Sequence, residues 1–225
     1  MTAPNKSTPA LDAATVGLAL IVGGLGVWTI LAGPTELLPV HYSASGQVDG
    51  WGTREQLGGL LVGLAVLTLL LGGGMGVAAR RADDPARVRA LRYAQLVVVL
   101  SIPLVSLLIA SASLSGLTDI AGALPVALIS LVLLLIGAFL GRVGPNPFVG
   151  VRTPWAFKSR LAWDRSNRLA GRLFFVIGLA GLLTAPFAPR PLNLYAILTA
   201  VVLAALWSVL ESWRVWRSDP DRQPF

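Results

Sequence analysis

Few side chains of this 225-residue chain could carry acid–base, metal or thiol chemistry. The absence of cysteine excludes a thiol nucleophile, a disulfide and a thiolate metal site. The one histidine, His41, cannot build a typical zinc site alone, although Asp49 could approach it as a pH-sensitive pair or a weak metal site. We favour a histidine that is simply hydrogen-bonded within a tight loop. The sequence therefore predicts no catalytic residue, no metal site and no cofactor, and an enzyme is the least favoured class.

Two segments combine glycine, proline, charged and aromatic residues in an order that a simple linker does not need. The first runs from Pro39 to Gly52. Residues 40–43 could form a short extended stretch, residues 44–46 predict a turn, and the pair at 49–50 predicts a second turn with positive φ. We expect this segment to form an ordered surface that can dock a ligand. Its candidate binding residues are Pro39, His41, Tyr42, Gly46, Asp49, Gly50 and Trp51.

The second segment begins at Asn146, which precedes a proline and so predicts the end of a helix. Gly150 permits a sharp bend or a close approach of backbone. Ser159 is positioned to cap a helix that runs through Trp163 into the next apolar stretch. The candidate functional residues of this segment are Asn146, Gly150, Arg152, Thr153, Pro154, Trp155, Trp163 and Asn167.

Arg152 has two interpretations that the sequence leaves open. It can be one more cation beside anionic lipid, which contributes about 1 kcal/mol of surface attraction. It can also be a directed partner of a buried carboxylate such as Glu211, or of an anionic ligand, because a guanidinium group suits multidentate bonding. For the other arginines of this segment we prefer the first interpretation.

The composition predicts the elements that position both segments. Hydrophobic residues make up 55% of the chain and charged residues 13%, which is typical of polytopic membrane proteins. A membrane span needs about 20 mainly apolar residues and must be helical. Six stretches have this length: 13–33, 57–78, 93–115, 121–141, 170–188 and 192–212. We predict an all-α fold with one six-helix transmembrane domain over residues 13–216, a disordered tail at 1–12 and a second tail at 217–225.

The distribution of charge predicts the orientation of these spans. Cations concentrate in residues 80–92, 142–172 and 214–222, whereas the three alternate links contain at most one cation each. Cationic loops remain in the cytoplasm, so both termini are expected there. The loop 34–56 then lies outside the cytoplasm and the loop 142–169 inside it. This topology also accounts for the net charge of +7 without direct nucleic-acid binding.

Polar residues within the predicted spans are mostly hydroxyl-bearing, together with Gln95. An ion-coupled transporter normally holds a carboxylate or histidine at depth, so this pattern counts against such a transporter. A transporter or channel for a lipid or a small neutral solute remains the alternative function.

The two segments together resemble one family of bacterial membrane proteins. The pattern around Asn146, Gly150 and Arg152-Thr153-Pro154-Trp155, followed by Trp163 and Gly171, resembles the signature of the SdpI family. The segment 39–52 resembles a domain of unknown function found in the amino-terminal half of many members. One position departs from the family: a histidine is common four residues after the tryptophan that corresponds to Trp163, and here that position is Asn167, which could keep only the hydrogen bonding.

The resemblance implies a function for both segments. Members of the family are named for immunity to a secreted killing peptide, and in one system the protein also holds a transcriptional repressor at the membrane. By resemblance, we expect a bacterial inner-membrane protein that binds or sequesters a toxic peptide through the candidates of the first segment. Its expected partners are membrane lipids, the peptide and a cytoplasmic transcriptional regulator.

Overall fold

The computed structural model describes residues 8–45, 47–115, 123–146 and 149–223. The candidate Gly46, the proline after Asn146 and the predicted third link all fall outside these ranges. The described elements are α1 (Pro9–Ala32), β1 (Leu38–Tyr42), β2 (Val48–Gly52), α2 (Arg54–Arg81), α3 (Pro85–Ser115), α4 (Leu124–Leu140), α5 (Pro154–Phe157), α6 (Arg160–Thr184) and α7 (Leu192–Ser218).

Five of these helices are long and apolar enough to cross a membrane, namely α1, α2, α3, α6 and α7. The predicted fourth span coincides with α4, but its 17 described residues rise only about 25 Å, slightly short of a typical hydrocarbon core. The mostly helical membrane-type architecture is therefore confirmed, and a β-hairpin is added to it. Six spans and their sidedness stay predictions.

Small residues bring the helices into close contact. A Cβ placed on Gly58 of α2 would lie 2.5 Å from the Gly26 carbonyl oxygen of α1. On α6, a Cβ at Gly178 would lie 2.5 Å from the Ser130 carbonyl oxygen of α4. Large apolar side chains such as Leu70 instead remain exposed on the outside. This arrangement suits helices in lipid, where packing of small residues holds neighbours together.

Two larger apolar clusters and a small third one, of Ala112 and Leu124, form the core. The first joins α1, α2 and α3 around Val22 and Leu61, and the second joins α4, α6 and α7 around Leu133 and Ile197. Between them, the rings of Tyr93 on α3 and Phe139 on α4 stack with centroids 5.6 Å apart. The two polar segments lie at the ends of these helices: the hairpin connects α1 to α2, and the second segment connects α4 to α6.

The helices extend into both predicted tails. Helix α1 begins at Pro9, four residues before the predicted start of the first span, because proline is tolerated in a first helical turn. Helix α7 continues to Ser218, and the buried Asp219 accepts a hydrogen bond from the Ser159 hydroxyl at 2.5 Å. The Gln223 amide then donates to the Lys158 carbonyl at 2.8 Å. Residues 9–12 and 217–223 are therefore structured parts of the molecule.

Candidate functional site

The first polar segment folds as an antiparallel hairpin of β1 and β2. The predicted extended stretch agrees with β1, but the predicted turn at Asp49-Gly50 is wrong, since both residues lie within β2 and Gly50 does not have a positive φ. Gly50 pairs with His41 across the strands, and a Cβ on it would lie 2.7 Å from the His41 Cβ. The glycine therefore serves a close cross-strand approach rather than a turn.

The predicted approach of His41 and Asp49 is confirmed. The His41 Nδ1 lies 2.5 Å from the Asp49 Oδ1, and both side chains are largely open to solvent. In the described ranges, no group of three or more histidine or acidic side chains comes together as a metal site would require. The pair is thus a hydrogen-bonded contact on an exposed strand face, and His41 lies in β1 rather than within a tight loop.

One edge of the hairpin is anchored on α3. The Ser113 hydroxyl donates a hydrogen bond to the Pro39 carbonyl at 2.6 Å. Tyr42 packs against the cluster of Ala112 and Leu124, and burial raises the pKa of Tyr42 above its ordinary value. Trp51, by contrast, is 57% exposed. The hairpin therefore presents a large aromatic ring from a fixed support.

Asn146 closes the start of the second polar segment. Its buried side-chain amide donates to the carbonyls of Gly144 at 2.8 Å and Val149 at 3.0 Å, and its Oδ1 accepts from the Val149 amide at 2.8 Å. Such side-chain bonds to nearby backbone hold a turn after a helix end. The predicted end of the helix near this asparagine is confirmed, since α4 ends at Leu140 and the turn follows.

Gly150 lies where the segment crosses α6. Its φ is +131°, a conformation that favours glycine, and a Cβ would lie 2.7 Å from the Asn167 Oδ1 and 2.9 Å from the Trp163 ring. The predicted close backbone approach is therefore confirmed. Both neighbours belong to α6, so this glycine determines how near the segment can lie to that helix.

Trp163 and Asn167 of α6 form hydrogen bonds to the backbone of the chain that follows α4. Trp163 is fully buried and its indole donates to the Val143 carbonyl at 2.9 Å. Asn167 accepts from the Val151 amide at 2.7 Å and donates to the Trp163 carbonyl at 2.9 Å. The Asn167 side chain thus satisfies a backbone donor of the segment with its carbonyl oxygen.

The Thr153-Pro154-Trp155 stretch begins α5 and contacts α7. The Thr153 hydroxyl caps α5 by accepting from the Ala156 amide at 3.2 Å, and Pro154 occupies the first helical turn. The Thr153 hydroxyl also lies 2.9 Å from the Ser212 hydroxyl, to which the Trp155 indole donates. Ser159 caps α6 through the Ala162 amide at 2.9 Å, as predicted.

Ser212 is a partner that sequence reasoning did not identify. It is fully buried on α7, about one turn beyond the buried Ser208. Two serines four residues apart on one face of an apolar helix were the available signal, because such hydroxyls often face a polar neighbour. The serine could be placed on a face from the sequence, but its partners lie 57 and 59 residues away.

Arg152 does not pair with Glu211. Within the described chain its guanidinium group forms no hydrogen bond or ion pair, and the residue is exposed beside a groove of about 570 Å³ that Ser208 also lines. Glu211 instead lines a separate groove, of about 470 Å³, with Arg165 and Arg172. The structure therefore fixes the backbone around Arg152 and leaves its charge available at the surface.

A polar cluster at Asp12 also escaped the sequence analysis. The Asp12 carboxylate lies 2.5 Å from Arg80 Nη1 and 2.6 Å from Arg92 Nη1, and it accepts from the Gln95 amide at 3.0 Å. Gln95 also donates to the Thr15 hydroxyl at 3.1 Å. A lone carboxylate at the start of a span and a lone glutamine inside another were the signals that could have predicted this contact.

Comparison with known proteins supports the resemblance for the second polar segment. The SdpI/YfhL protein family matches residues 142–212. This range contains the whole second polar segment, α5, α6 and most of α7. The match does not extend to the hairpin or to α1–α4. Searches of curated proteins and of solved structures found no match to the chain.

Proposed function

We propose that this chain, whose residues 142–212 are of the SdpI/YfhL family, is a bacterial inner-membrane immunity protein that binds a secreted killing peptide. The family match carries the proposal, because it covers the segment that Asn146, Gly150 and Asn167 hold in place. The mechanism would be sequestration: the peptide is held on the protein before it disrupts the bilayer.

The hairpin is the proposed docking surface for the peptide. The alternation of cationic loops supports a position outside the cytoplasm for residues 34–56, on the side from which a secreted peptide arrives. Trp51 offers a large exposed ring, and a rigid aromatic anchor is a common centre of peptide binding. The His41–Asp49 pair lies on the neighbouring strands and adds polar contacts.

The second polar segment is the proposed cytoplasmic contact surface of the same protein. The segment is tied to α6 through the Val151 amide and to α7 through the Thr153 hydroxyl, so displacement of either helix would move the exposed Arg152. Arg152 is then the candidate contact for a cytoplasmic partner such as a transcriptional regulator. Occupancy outside would reach that partner through the helices that join the two ends.

Binding of a killing peptide to the purified protein in lipid nanodiscs tests the docking surface. The family's killing peptide and the producer's own secreted peptides would be titrated against wild type, Trp51→Ala and the control Trp28→Ala. Both tryptophans are about half exposed, but Trp28 lies on α1 outside the hairpin. We expect Trp51→Ala to weaken binding at least about tenfold, since truncation of an aromatic anchor often costs 2 kcal/mol or more.

The two tryptophan variants make the result specific to the hairpin. Trp28→Ala should bind within about twofold of wild type. Equal loss in both variants would indicate a general effect on the membrane domain, and unchanged binding by Trp51→Ala would remove the hairpin from the mechanism.

A further inference from the structure

We propose that the groove between α4 and α6 binds the headgroup of an anionic phospholipid. The groove has a volume of about 460 Å³ and is lined by Arg142 at the end of α4 and by Arg168 and Arg172 on α6. No carboxylate is among its lining residues. Three guanidinium groups around one cavity form a site for phosphate, because each presents forked donors that match phosphate oxygens.

The charges of this groove are available to a ligand. In the described ranges, the guanidinium groups of Arg142 and Arg172 form no hydrogen bond or ion pair. Arg168 donates to the Asp164 carbonyl at 3.1 Å and lies 3.9 Å from the Asp164 carboxylate, a loose contact on a largely exposed side chain. Glu211 of α7 lines the adjacent groove together with Arg165, Arg168 and Arg172 of α6, so two of the three arginines of the α4–α6 groove also border this carboxylate. Positive charge remains in excess over these two acids.

Glycines at the contact between α4 and α6 line the groove. A Cβ on Gly171 of α6 would lie 3.0 Å from the Gly137 carbonyl oxygen of α4. Because the two helices touch through their backbones here, the glycines form the bottom of the groove and the three arginines line it. The site therefore lies between two helices rather than along a single one.

The groove also lies where α6 changes from charged to apolar. One turn beyond Arg172, the exposed residues are Phe175 and Val176, which line the apolar end of the groove, and Leu179 continues this face. A span that passes from arginine to exposed aliphatic side chains does so at the boundary of the hydrocarbon. A headgroup at the arginines would place its acyl chains against Phe175 and Val176.

This combination selects a lipid over free phosphate. An inorganic phosphate could contact the arginines but would leave the apolar end of the cavity empty. Basic pockets between transmembrane helices are suited to anionic headgroups, and the three arginines supply that charge here. The occupant is therefore a phospholipid with a negatively charged headgroup, such as phosphatidylglycerol.

Native mass spectrometry of the delipidated protein in detergent tests the site. The protein would be titrated with phosphatidylglycerol, with phosphatidylcholine of the same acyl chains, and with phosphatidylglycerol in the presence of millimolar inorganic phosphate. We expect preferential retention of phosphatidylglycerol, with little displacement by phosphate. Arg142→Gln/Arg172→Gln should weaken this retention about tenfold or more, since two cations near the headgroup are removed.

A matched double variant and a steric variant make the test specific. Arg81→Gln/Arg89→Gln removes the same charge from exposed positions on α2 and α3 and should retain the lipid as wild type does. Ala138→Phe fills the groove, which Ala138 lines, and keeps all three arginines, so it should also lose the lipid. Thermal unfolding of each variant reports whether it is folded.

Four results would overturn the proposal, of which three concern lipid selectivity and the charge-matched control. These three are equal retention of phosphatidylcholine, full displacement by inorganic phosphate, and equal losses in the groove variant and its charge-matched control. Retention by both Arg142→Gln/Arg172→Gln and Ala138→Phe at wild-type levels would do the same. None of these outcomes depends on whether the protein binds a killing peptide.

Discussion

At the residue scale, the second polar segment is held by side chains that form hydrogen bonds to its backbone groups. Asn146 and Asn167 bond to the chain at Val149 and Val151, on either side of Gly150. Buried donors without partners are costly, so these amides hold a loop that otherwise has little regular structure. This gives the asparagine at 167 a definite task in this chain: its carbonyl oxygen accepts from a backbone N–H.

Gly150→Ala should destabilise the protein. The new Cβ would meet Asn167 and Trp163 below 3 Å, and φ at this position is +131°. Backbone strain of this kind costs about 1–3 kcal/mol, to which the collision adds. Thermal unfolding in detergent measures the loss. Gly59→Ala is the control, because its Cβ would meet nothing within 4 Å on a helix and should be neutral or mildly stabilising.

Arg152→Ala separates the two interpretations of that arginine. Because its guanidinium group has no partner within the described chain, we expect the free energy of unfolding to change by less than about 0.5 kcal/mol. Signalling or protection should nevertheless fall if Arg152 contacts a partner. Arg160→Ala, another exposed arginine nearby, is the matched control. Equal activity of both variants and wild type at matched membrane levels would leave Arg152 as a topogenic cation only.

At the scale of elements, the Asp12 cluster joins the start of α1 to α2 and α3. The Arg92 side chain is only 9% exposed, whereas Asp12 and Arg80 are more open to solvent. A nearly buried guanidinium group needs a negative partner, because an uncompensated buried charge destabilises the folded protein. The cluster therefore ties the first turn of α1 to α2 and α3.

Asp12→Ala should lower the free energy of unfolding by about 2 kcal/mol, less than for a fully buried pair because Asp12 is partly exposed. The control is Glu36→Ala, which removes a carboxylate from an exposed position in the link after α1. Unfolding in detergent at neutral pH would measure both. Equal stability of the two variants would contradict a structural role for the cluster.

The elements also show what the sequence can and cannot predict. Local signals sufficed for the Ser159 cap and indicated the need for glycine at position 150, since each is visible in a short stretch of sequence. The approach of Asp49 to His41 was only one of two interpretations of that histidine. Sequence reasoning failed where the partner is distant: Ser212 for Thr153, or Arg80 for Asp12. At Gly50, a turn signal was misread because the cross-strand collision with His41 depends on strand register.

At the scale of the whole molecule, the proposed function requires the hairpin and the second polar segment to lie on opposite sides of the membrane. Five described helices are long and apolar enough to span it, and α4 is shorter. Composition and the length of the apolar stretches predicted these helices, because the hydrocarbon imposes length and helicity. Sidedness follows from the distribution of cations along the chain.

Single cysteines can measure this orientation directly, because the native chain has none. Ala44→Cys lies at the exposed tip of the hairpin and Asp221→Cys lies exposed after α7. A membrane-impermeant maleimide should label the first in intact cells and the second only after permeabilisation. Labelling of both, or the reverse pattern, would contradict the proposed topology.

The central claim is protection against a secreted peptide. The most direct measurement is survival of a sensitive bacterium that expresses this protein, challenged with the family's killing peptide and with the producer's own secreted peptides. Cells with an empty vector and cells with Trp51→Ala at matched membrane levels are the comparison. The account predicts survival with wild type and loss of protection with Trp51→Ala. Killing of wild-type cells to the same extent as empty-vector cells by every peptide would contradict it.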